Sequence, residues 1–476
     1  MKRIAIILVL SLVTFSINFV SGQNRFGKKN AEGTWLGNLE ANGVTLRIVF
    51  RLRLNDSDSL TAVMDSPDQN ATNIPMGRVI QRNDSLKIYA PALMGYYKGS
   101  ILSDSAITGV WTQRGVKYPM DIVKVSKPVR DNRPQEPRPP FPYSAEDVRF
   151  ANKNANIFLA GTLTTPVGNG PFPAVILVTG SGPQNRDEAL MGHKPFLVIA
   201  DWLSRNGIAV LRFDDRGVGK SQGNYGTATT ADLATDAEAA FLFLKGNPKI
   251  NPGMIGIMGH SEGGLIAPMV AALNKDVAFI VSLAGPGVNG EQIILRQSAD
   301  IGRLSGLSEG KIAENNEINR KLYEIVKGEK DDLIAEDKVT EAYRKILTDQ
   351  KIPQDQVEDA VNKLQSSFGA RVYPWFRYFI SAEPSDFWKK VNCPVLAING
   401  DKDLQVAADV NLPAIENALK SSGNKNIKTV RLQGLNHLFQ HCTTGLPSEY
   451  GKIEETFSPE ALKLITGWIL DLKVSR

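Results

Sequence analysis

The sequence predicts a chain in two parts: a small all-β module (barrel or sandwich), then a larger α/β domain. That domain should hold a mostly parallel sheet with helices on both faces and a helical insertion. Three observations carry this. Residues 33–125 alternate apolar and polar with no helical period, the mark of half-buried strands. From residue 145 onward, apolar runs of strand length alternate with helical stretches, the order that builds a parallel sheet. Between them, residues 127–143 are rich in proline and charge and read as an extended, semi-rigid linker. The expected division is therefore 1–22 signal peptide, 23–126 all-β domain, 127–143 linker and 144–476 α/β domain, with a helical cap at about 290–388.

At 476 residues, 42% hydrophobic and 22% charged, the chain has the make-up of an ordinary globular protein. Its net charge of +5 is small for that length. No basic tract is interleaved with aromatics, so no nucleic-acid partner is expected. Lys2 and Arg3 precede an apolar run at 4–13, and Val20-Ser21-Gly22 offers a small-residue cleavage site before Gln23. The run is short of the roughly 20 apolar residues a spanning helix needs. The expectation is an exported protein, periplasmic or secreted, with no stable membrane insertion after cleavage; an uncleaved anchor is the alternative. No cysteine lies near the cleavage site to carry a lipid. Cys393 precedes one strand and Cys442 follows a loop at the opposite end of the sheet, so no disulfide is expected between them.

In the β module the clearest strand is 46–54, with Leu46, Ile48, Phe50, Leu52 and Leu54 facing one way and Arg47, Arg51 and Arg53 the other. Further strands are predicted at 86–89, 96–101, 107–111 and 120–125, separated by Gly, Asp, Asn and Ser turns. The mature module has neither histidine nor cysteine, which argues against a catalytic site of its own. Its arginine face reads as a solvated strand face rather than an anion site.

In the α/β domain, strand 173–179 ends in Gly180-Ser181-Gly182, helix 192–206 follows, and strand 208–213 ends in Asp214-Asp215-Arg216-Gly217. Helix 230–244 leads to an apolar run at 254–258, and strands at 277–283, 395–398 and 428–432 continue the set. A long helical interruption at 291–388, with patterns such as Leu322, Ile325, Val326 and Ala342, Ile346, Leu347, would cap the upper end of the sheet. Its aromatic end at 372–379 is read mainly as core of that cap.

The run at 254–258 turns sharply through Gly259-His260-Ser261-Glu262-Gly263 into a small-residue helix. This is the G-x-S-x-G pattern of a nucleophile elbow, in which flanking glycines let the backbone pass close to its neighbours. Ser261 at the apex is expected in a strained conformation, worth about 1–3 kcal/mol, that lifts its hydroxyl clear of the sheet. A serine hydroxyl needs a positioned base. Of the four histidines, His437 falls just after the last predicted strand, on the edge that carries Ser261; His441 is its rival. His193 starts a helix, and His260 is expected to point away into packing. The base needs an acid. Asp403, one turn beyond strand 395–398, is the choice, with Asp401 the alternative. Backbone N–H groups of Glu262 and of Ser181, with Gly182 next, are the candidate oxyanion donors.

With these motifs the chain resembles the α/β-hydrolase superfamily, and within it bacterial serine esterases and related serine aminopeptidases. The segments VTGSGPQNRDE, RFDDRGVGKSQG, GHSEGG, NGDKDLQV and LNHLFQ look like that superfamily's oxyanion loop, post-strand loop, elbow, acid loop and histidine loop. The resemblance covers about residues 144–476 and excludes the β module. Many relatives have His-Gly at the oxyanion loop where this chain has Thr179-Gly180. It implies an acyl-serine mechanism on a small-molecule ester, without metal or cofactor.

Other motifs fail on their own terms. Gly219-Lys220-Ser221 lacks the first glycine of a phosphate loop, since Asp214 stands there. Gly180-Ser181-Gly182 is followed by Asn185 rather than the third glycine of a dinucleotide site. The histidines and cysteines do not make up a metal-ligand set. Two other functions remain open: a peptidase, with Glu383 or Asp386 of the cap holding a peptide terminus, and a non-catalytic binding protein led by the β module.

Overall fold

A computed structural model of the chain describes residues 31–474 apart from 42–43, 56, 70 and 127–132. The expected signal peptide and the first part of the proline-rich segment lie outside the described residues. The chain divides into two compact units, Met1–Asn132 with Leu190–His193, and Arg133–Ala189 with Lys194–Arg476.

The first unit contains strands β1 (Gly33–Ala41), β2 (Val44–Leu54), β3 (Leu60–Ser66), β4 (Ala71–Pro75) and β5 (Val79–Arg82). It continues with β6 (Ser85–Ala90), β7 (Gly95–Ser103), β8 (Ala106–Gln113), β9 (Val116–Pro119) and β10 (Ile122–Val125). They form one antiparallel sheet in the order β4-β3-β2-β1-β10-β8-β7-β6-β5, with β9 added on β8. The end strands β4 and β5 are consecutive in the chain, joined by residues 76–78 alone. A link that short reaches only about 10 Å, so the sheet must curl until its edges approach. One core fills the curl, built around Trp35, Phe50, Tyr97 and Trp111. Ile48, Phe50 and Leu52 are buried as the alternation predicts, whereas Leu54, at the strand end, is exposed. On the other face Arg47 pairs with Asp68 and Arg51 with Asp65. The pattern picks out β2, β6, β7, β8 and β10. The others are short or interrupted by Gly, Asp or Asn, which blurs their alternation.

The second unit has an eight-stranded sheet. Its strands are β11 (Ser144–Asn152), β12 (Ile157–Thr165), β13 (Phe172–Val178), β14 (Ala209–Phe213), β15 (Ile250–His260), β16 (Phe279–Leu283), β17 (Val395–Gly400) and β18 (Ile427–Leu432). Their order is β11-β12-β14-β13-β15-β16-β17-β18, parallel from β14 through β18. The antiparallel hairpin β11–β12 adds an edge that sequence pattern does not single out. This is the α/β-hydrolase fold. Helices α1 (Pro195–Arg205), α2 (Thr230–Lys245) and α3 (Gly263–Leu273) follow β13, β14 and β15. Successive residues of a strand point to opposite faces, so a buried parallel sheet feeds two cores. Ala174, Ile176 and Val178 of β13 enter the layer that holds Phe241 of α2 and Ile266 of α3. Val175 and Leu177 enter the other, with Phe196 and Ile199 of α1. Thr229 and Asp232 form a capping box that satisfies the first amides of α2.

The insertion between β16 and β17 contains α4 (Gly290–Leu304), α5 (Glu309–Gly328), α6 (Asp332–Asp349), α7 (Gln354–Ser367), α8 (Tyr373–Ser381) and α9 (Pro384–Trp388). Their shared core includes Leu322, Tyr323, Tyr373, Phe376 and Phe379, packed on Leu265 and Met269 of α3. The aromatic run at 372–379 is thus mostly core of the cap. Helices α10 (Ala408–Ser421), α11 (Pro447–Tyr450) and α12 (Pro459–Val474) complete the unit. The described part of the proline-rich segment is fastened to this unit: Arg133 donates to the carbonyls of Gly451 at 2.8 Å and Ile453 at 2.7 Å. Cys393 and Cys442 form no disulfide. Among the described residues no helix is long and apolar enough to cross a membrane.

Gly256 in β15 has the ring of Phe279 where a side chain would stand, with a built Cβ only 2.1 Å from it. Gly256→Ala should therefore destabilise the second unit by about 1–3 kcal/mol through overpacking. Urea unfolding would show a lower midpoint at unchanged slope; an unchanged midpoint would contradict this packing.

Candidate active site

The elbow is built by close backbone contact. A Cβ at Gly259 would lie 1.9 Å from the Gly263 carbonyl oxygen, and one at Gly263 would lie 2.2 Å from that of Val178. Only glycine lets β15 reverse directly into α3 there. Ser261 sits between them with φ +53°, left-handed, a strained conformation as expected at the apex. Its N–H donates to the Leu283 carbonyl at the end of β16, 2.8 Å away.

The candidate acid and base lie in the loops after β17 and β18. Asp403 Oδ1 accepts from the N–H groups of Gln405 (2.8 Å) and Val406 (2.9 Å), which leaves Oδ2 facing His437 Nδ1 at 2.8 Å. Both residues are buried, at 4% exposure each. Asp401 does something else: its carboxylate accepts the Gly434 N–H at 2.6 Å and so holds the histidine loop. His441, the rival base, is turned outward, its Nδ1 2.8 Å from Glu455. His193 lies in the turn that bridges to Leu190 ahead of α1. The structure brings Asp403 and His437 together and sets the His437 ring 4.8 Å from that of His260, the neighbour of Ser261. The Ser261 hydroxyl makes no hydrogen bond to His437 among the described residues. In ligand-free sites this bond is often long and tightens only with substrate.

The oxyanion loop leaves β13 and lies against the elbow: a Cβ at Gly180 would be 3.1 Å from Ser261 Cβ. Of the two donors predicted there, Gly182 has its N–H committed to Tyr225 Oη at 2.9 Å. The N–H groups of Ser181 and Glu262 have no acceptor among the described residues. Among these candidate donors, Ser181 and Glu262 thus keep an unspent N–H, whereas that of Gly182 is taken.

Two buried groups escaped sequence reading. His260, expected to point into packing, is hydrogen-bonded on both ring nitrogens, to Glu188 Oε1 and to the His437 carbonyl, each at 2.9 Å. Asp215 accepts from Thr179 Oγ1 and from the Gln184 N–H, both at 2.8 Å, and so ties down the oxyanion loop. The Asp214-Asp215-Arg216 run at a strand end was the only sequence signal for it. Burial pushes the Asp215 carboxyl up to about 8 despite those hydrogen bonds. Burial also raises Glu262, against hydrogen bonds from Thr230 Oγ1 and Trp375 Nε1 at 2.6 and 2.8 Å. Among the described residues no cluster could hold a metal ion.

The family model described as "Serine aminopeptidase, S33" matches residues 194–345. That stretch includes Ser261 but ends before Asp403 and His437. Esterase EstD of Thermotoga maritima is 30% identical over 281 residues, 59% of this chain and 58% of that one. The protein YfhR of Escherichia coli is 28% identical over 125 residues, 26% of this chain and 41% of its own length. The chain thus spans less than two thirds of these relatives. Among solved structures, an esterase of Pyrococcus furiosus superposes with a TM-score of 0.42 at 19% identity, over 69% of this chain and 91% of that one.

The neutral Asp215 has a consequence for stability. Its folded pKa is about 8, whereas an unfolded aspartate titrates near 3.9. Between these values the folded chain holds a proton that the unfolded chain has released, so stability falls as pH rises through that window. Asp215→Asn, which keeps the shape without the titration, should flatten this decline by up to about 1.4 kcal/mol per pH unit. Urea unfolding between about pH 4 and pH 8 checks it, and a slope equal to that of wild type would refute the assignment.

Proposed function

We propose that this chain is a serine hydrolase of the α/β-hydrolase superfamily, cleaving carboxylic esters through an acyl-Ser261 intermediate. The observation that carries the reading is the buried Asp403–His437 pair set beside the strained elbow. With Nδ1–H given to Asp403, the other ring nitrogen of His437 is left as the base. It takes the proton of Ser261 Oγ as that oxygen attacks the ester carbonyl. The N–H groups of Glu262 and Ser181 receive the negative oxygen of the tetrahedral intermediate. The intermediate collapses, His437 hands its proton to the departing alkoxide, and water then repeats the sequence on the acyl-enzyme.

An alkoxide leaves more readily than an amine, which must be protonated as it departs, so esters make the smaller demand. The printed name of the Thermotoga relative supports the same choice. The basic and apolar start of the chain supports export, which would part it from coenzyme A thioesters. The description of the matching family favours a second reading, an aminopeptidase. Glu383 and Asp386, which would hold the peptide amine, are both exposed, and Glu383 accepts from Asn289 at 2.9 Å. That is a poor setting for a specific amine site.

Ser261→Ala should lower kcat for p-nitrophenyl butyrate by about a millionfold, and Asp403→Asn by about 10⁴. Asp401→Asn should stay close to wild type, since an amide oxygen can still accept the Gly434 N–H. Turnover of aminoacyl anilides with little on esters would favour the peptidase. Folded protein that neither turns over esters nor is labelled at Ser261 by a fluorophosphonate would leave only a binding protein led by the β module.

A further inference from the structure

His260 and Glu188 lie outside the triad, yet they are buried against it with side-chain exposures of 8% and 5%. The two ring nitrogens of His260 face a carboxylate oxygen and a backbone carbonyl, both 2.9 Å away. Neither a carboxylate nor a carbonyl oxygen donates, so this geometry suits a ring with hydrogen on both nitrogens. Burial alone would lower the affinity of this ring for its second proton, but the Glu188 carboxylate and the His437 carbonyl outweigh it and raise it above the usual histidine range. Glu188 uses the same oxygen, Oε1, to accept the Gly180 N–H at 2.8 Å. Its own backbone is left-handed, with φ +49°, a conformation that a non-glycine residue holds only when its surroundings enforce it.

We propose that His260 and Glu188 are a positioning pair that sets the oxyanion loop and the backbone of the base, His437, in register with Ser261. Three segments meet at one ring. Ser261 follows His260 directly in the chain, Gly180 precedes the donor Ser181, and the carbonyl that His260 Nε2–H holds belongs to His437 itself. Asp403 orients the His437 imidazole, whereas His260 fixes the backbone from which that imidazole hangs. A buried ion pair contributes little to stability over a well-packed apolar pair of the same volume. What this one supplies is a fixed distance between loops that share no secondary structure.

The inference rests on Ser261, His437 and Ser181 acting as proposed above, so wild-type turnover and fluorophosphonate labelling are measured first. Then Glu188→Gln, which removes the charge at constant shape, and His260→Phe, which keeps a ring without its hydrogen bonds, are compared with wild type. Near-ultraviolet circular dichroism checks that each is folded. We expect kcat for p-nitrophenyl butyrate to fall about 10- to 100-fold, as for a small misplacement of reacting groups. Affinity for an alkyl boronic acid, whose adduct with the serine mimics the tetrahedral intermediate, should weaken in parallel, with KM little changed. Folded variants that keep the wild-type kcat, or whose loss is carried by KM alone, would overturn the positioning role. If His260→Phe does not fold, Glu188→Gln decides alone. An inactive, unlabelled wild type would remove the hydrolase reading and this inference with it, whereas an active wild type with unaffected variants removes only the inference.

Discussion

Backbone lies directly against backbone where β15 turns into α3. With no Cβ at Gly259 or Gly263, the first turn of α3 closes onto the Gly259 Cα and onto the Val178 carbonyl at the end of β13. That contact decides how steeply the chain can reverse, and the steepness lifts Ser261 above the rim in its left-handed conformation. The rest of the site is arranged around this point. The central position of β15, with β13 on one side and β16 then β17 on the other, puts the loops after β13, β17 and β18 near the same rim. In an open parallel sheet the carboxyl ends of the strands are where such groups converge.

Those loops have little regular structure, and acidic side chains take the place of a ladder. Asp215 accepts from Gln184, Asp214 from Arg186, Asp401 from Gly434, and Asp403 from Gln405 and Val406, in each case from a backbone N–H. A buried N–H without a partner costs more than the bond it could make is worth, so each contact both satisfies the loop and fixes its path. Arg216 plays the complementary part, with its guanidinium on the buried carboxylate of Asp236 and on the Asp232 carbonyl at the start of α2. The rim is therefore held in place by these bonds although it is made of loops.

Near Ser261 the cap meets this rim through a polar contact and a larger apolar one. Trp375 of α8 donates to the Glu262 carboxylate next to Ser261, while its ring stacks on Phe379 at 5.4 Å. Around it Tyr323, Phe368, Tyr373 and Phe376 make edge-to-face contacts between 4.6 and 6.2 Å. Aromatic pairs of this kind add to area burial through their ring quadrupoles. The same run of residues thus serves as core of the cap and, at a single indole nitrogen, as its connection to the residue after the proposed nucleophile.

Sequence alone determined what depends on neighbours in the chain. Strand-length apolar runs, the elbow glycines, and the placing of Asp403, Asp401 and His437 in loops just beyond strand ends all follow from local patterns whose physics is local: alternation, turn sterics, distance from a strand end. The edge hairpin β11–β12 was missed because its alternation is mixed with charge and its burial comes from a strand far along the chain, β14. Only the tertiary structure decided that Gly182 spends its N–H on Tyr225, 43 residues away, and that His260 reaches a carbonyl 177 residues on. It likewise decided that Asp215 lies deep enough to keep its proton. A hydrogen bond between distant segments leaves no periodicity behind, and the charge state of a buried group depends on its whole surroundings, so both come into being only when the chain is folded.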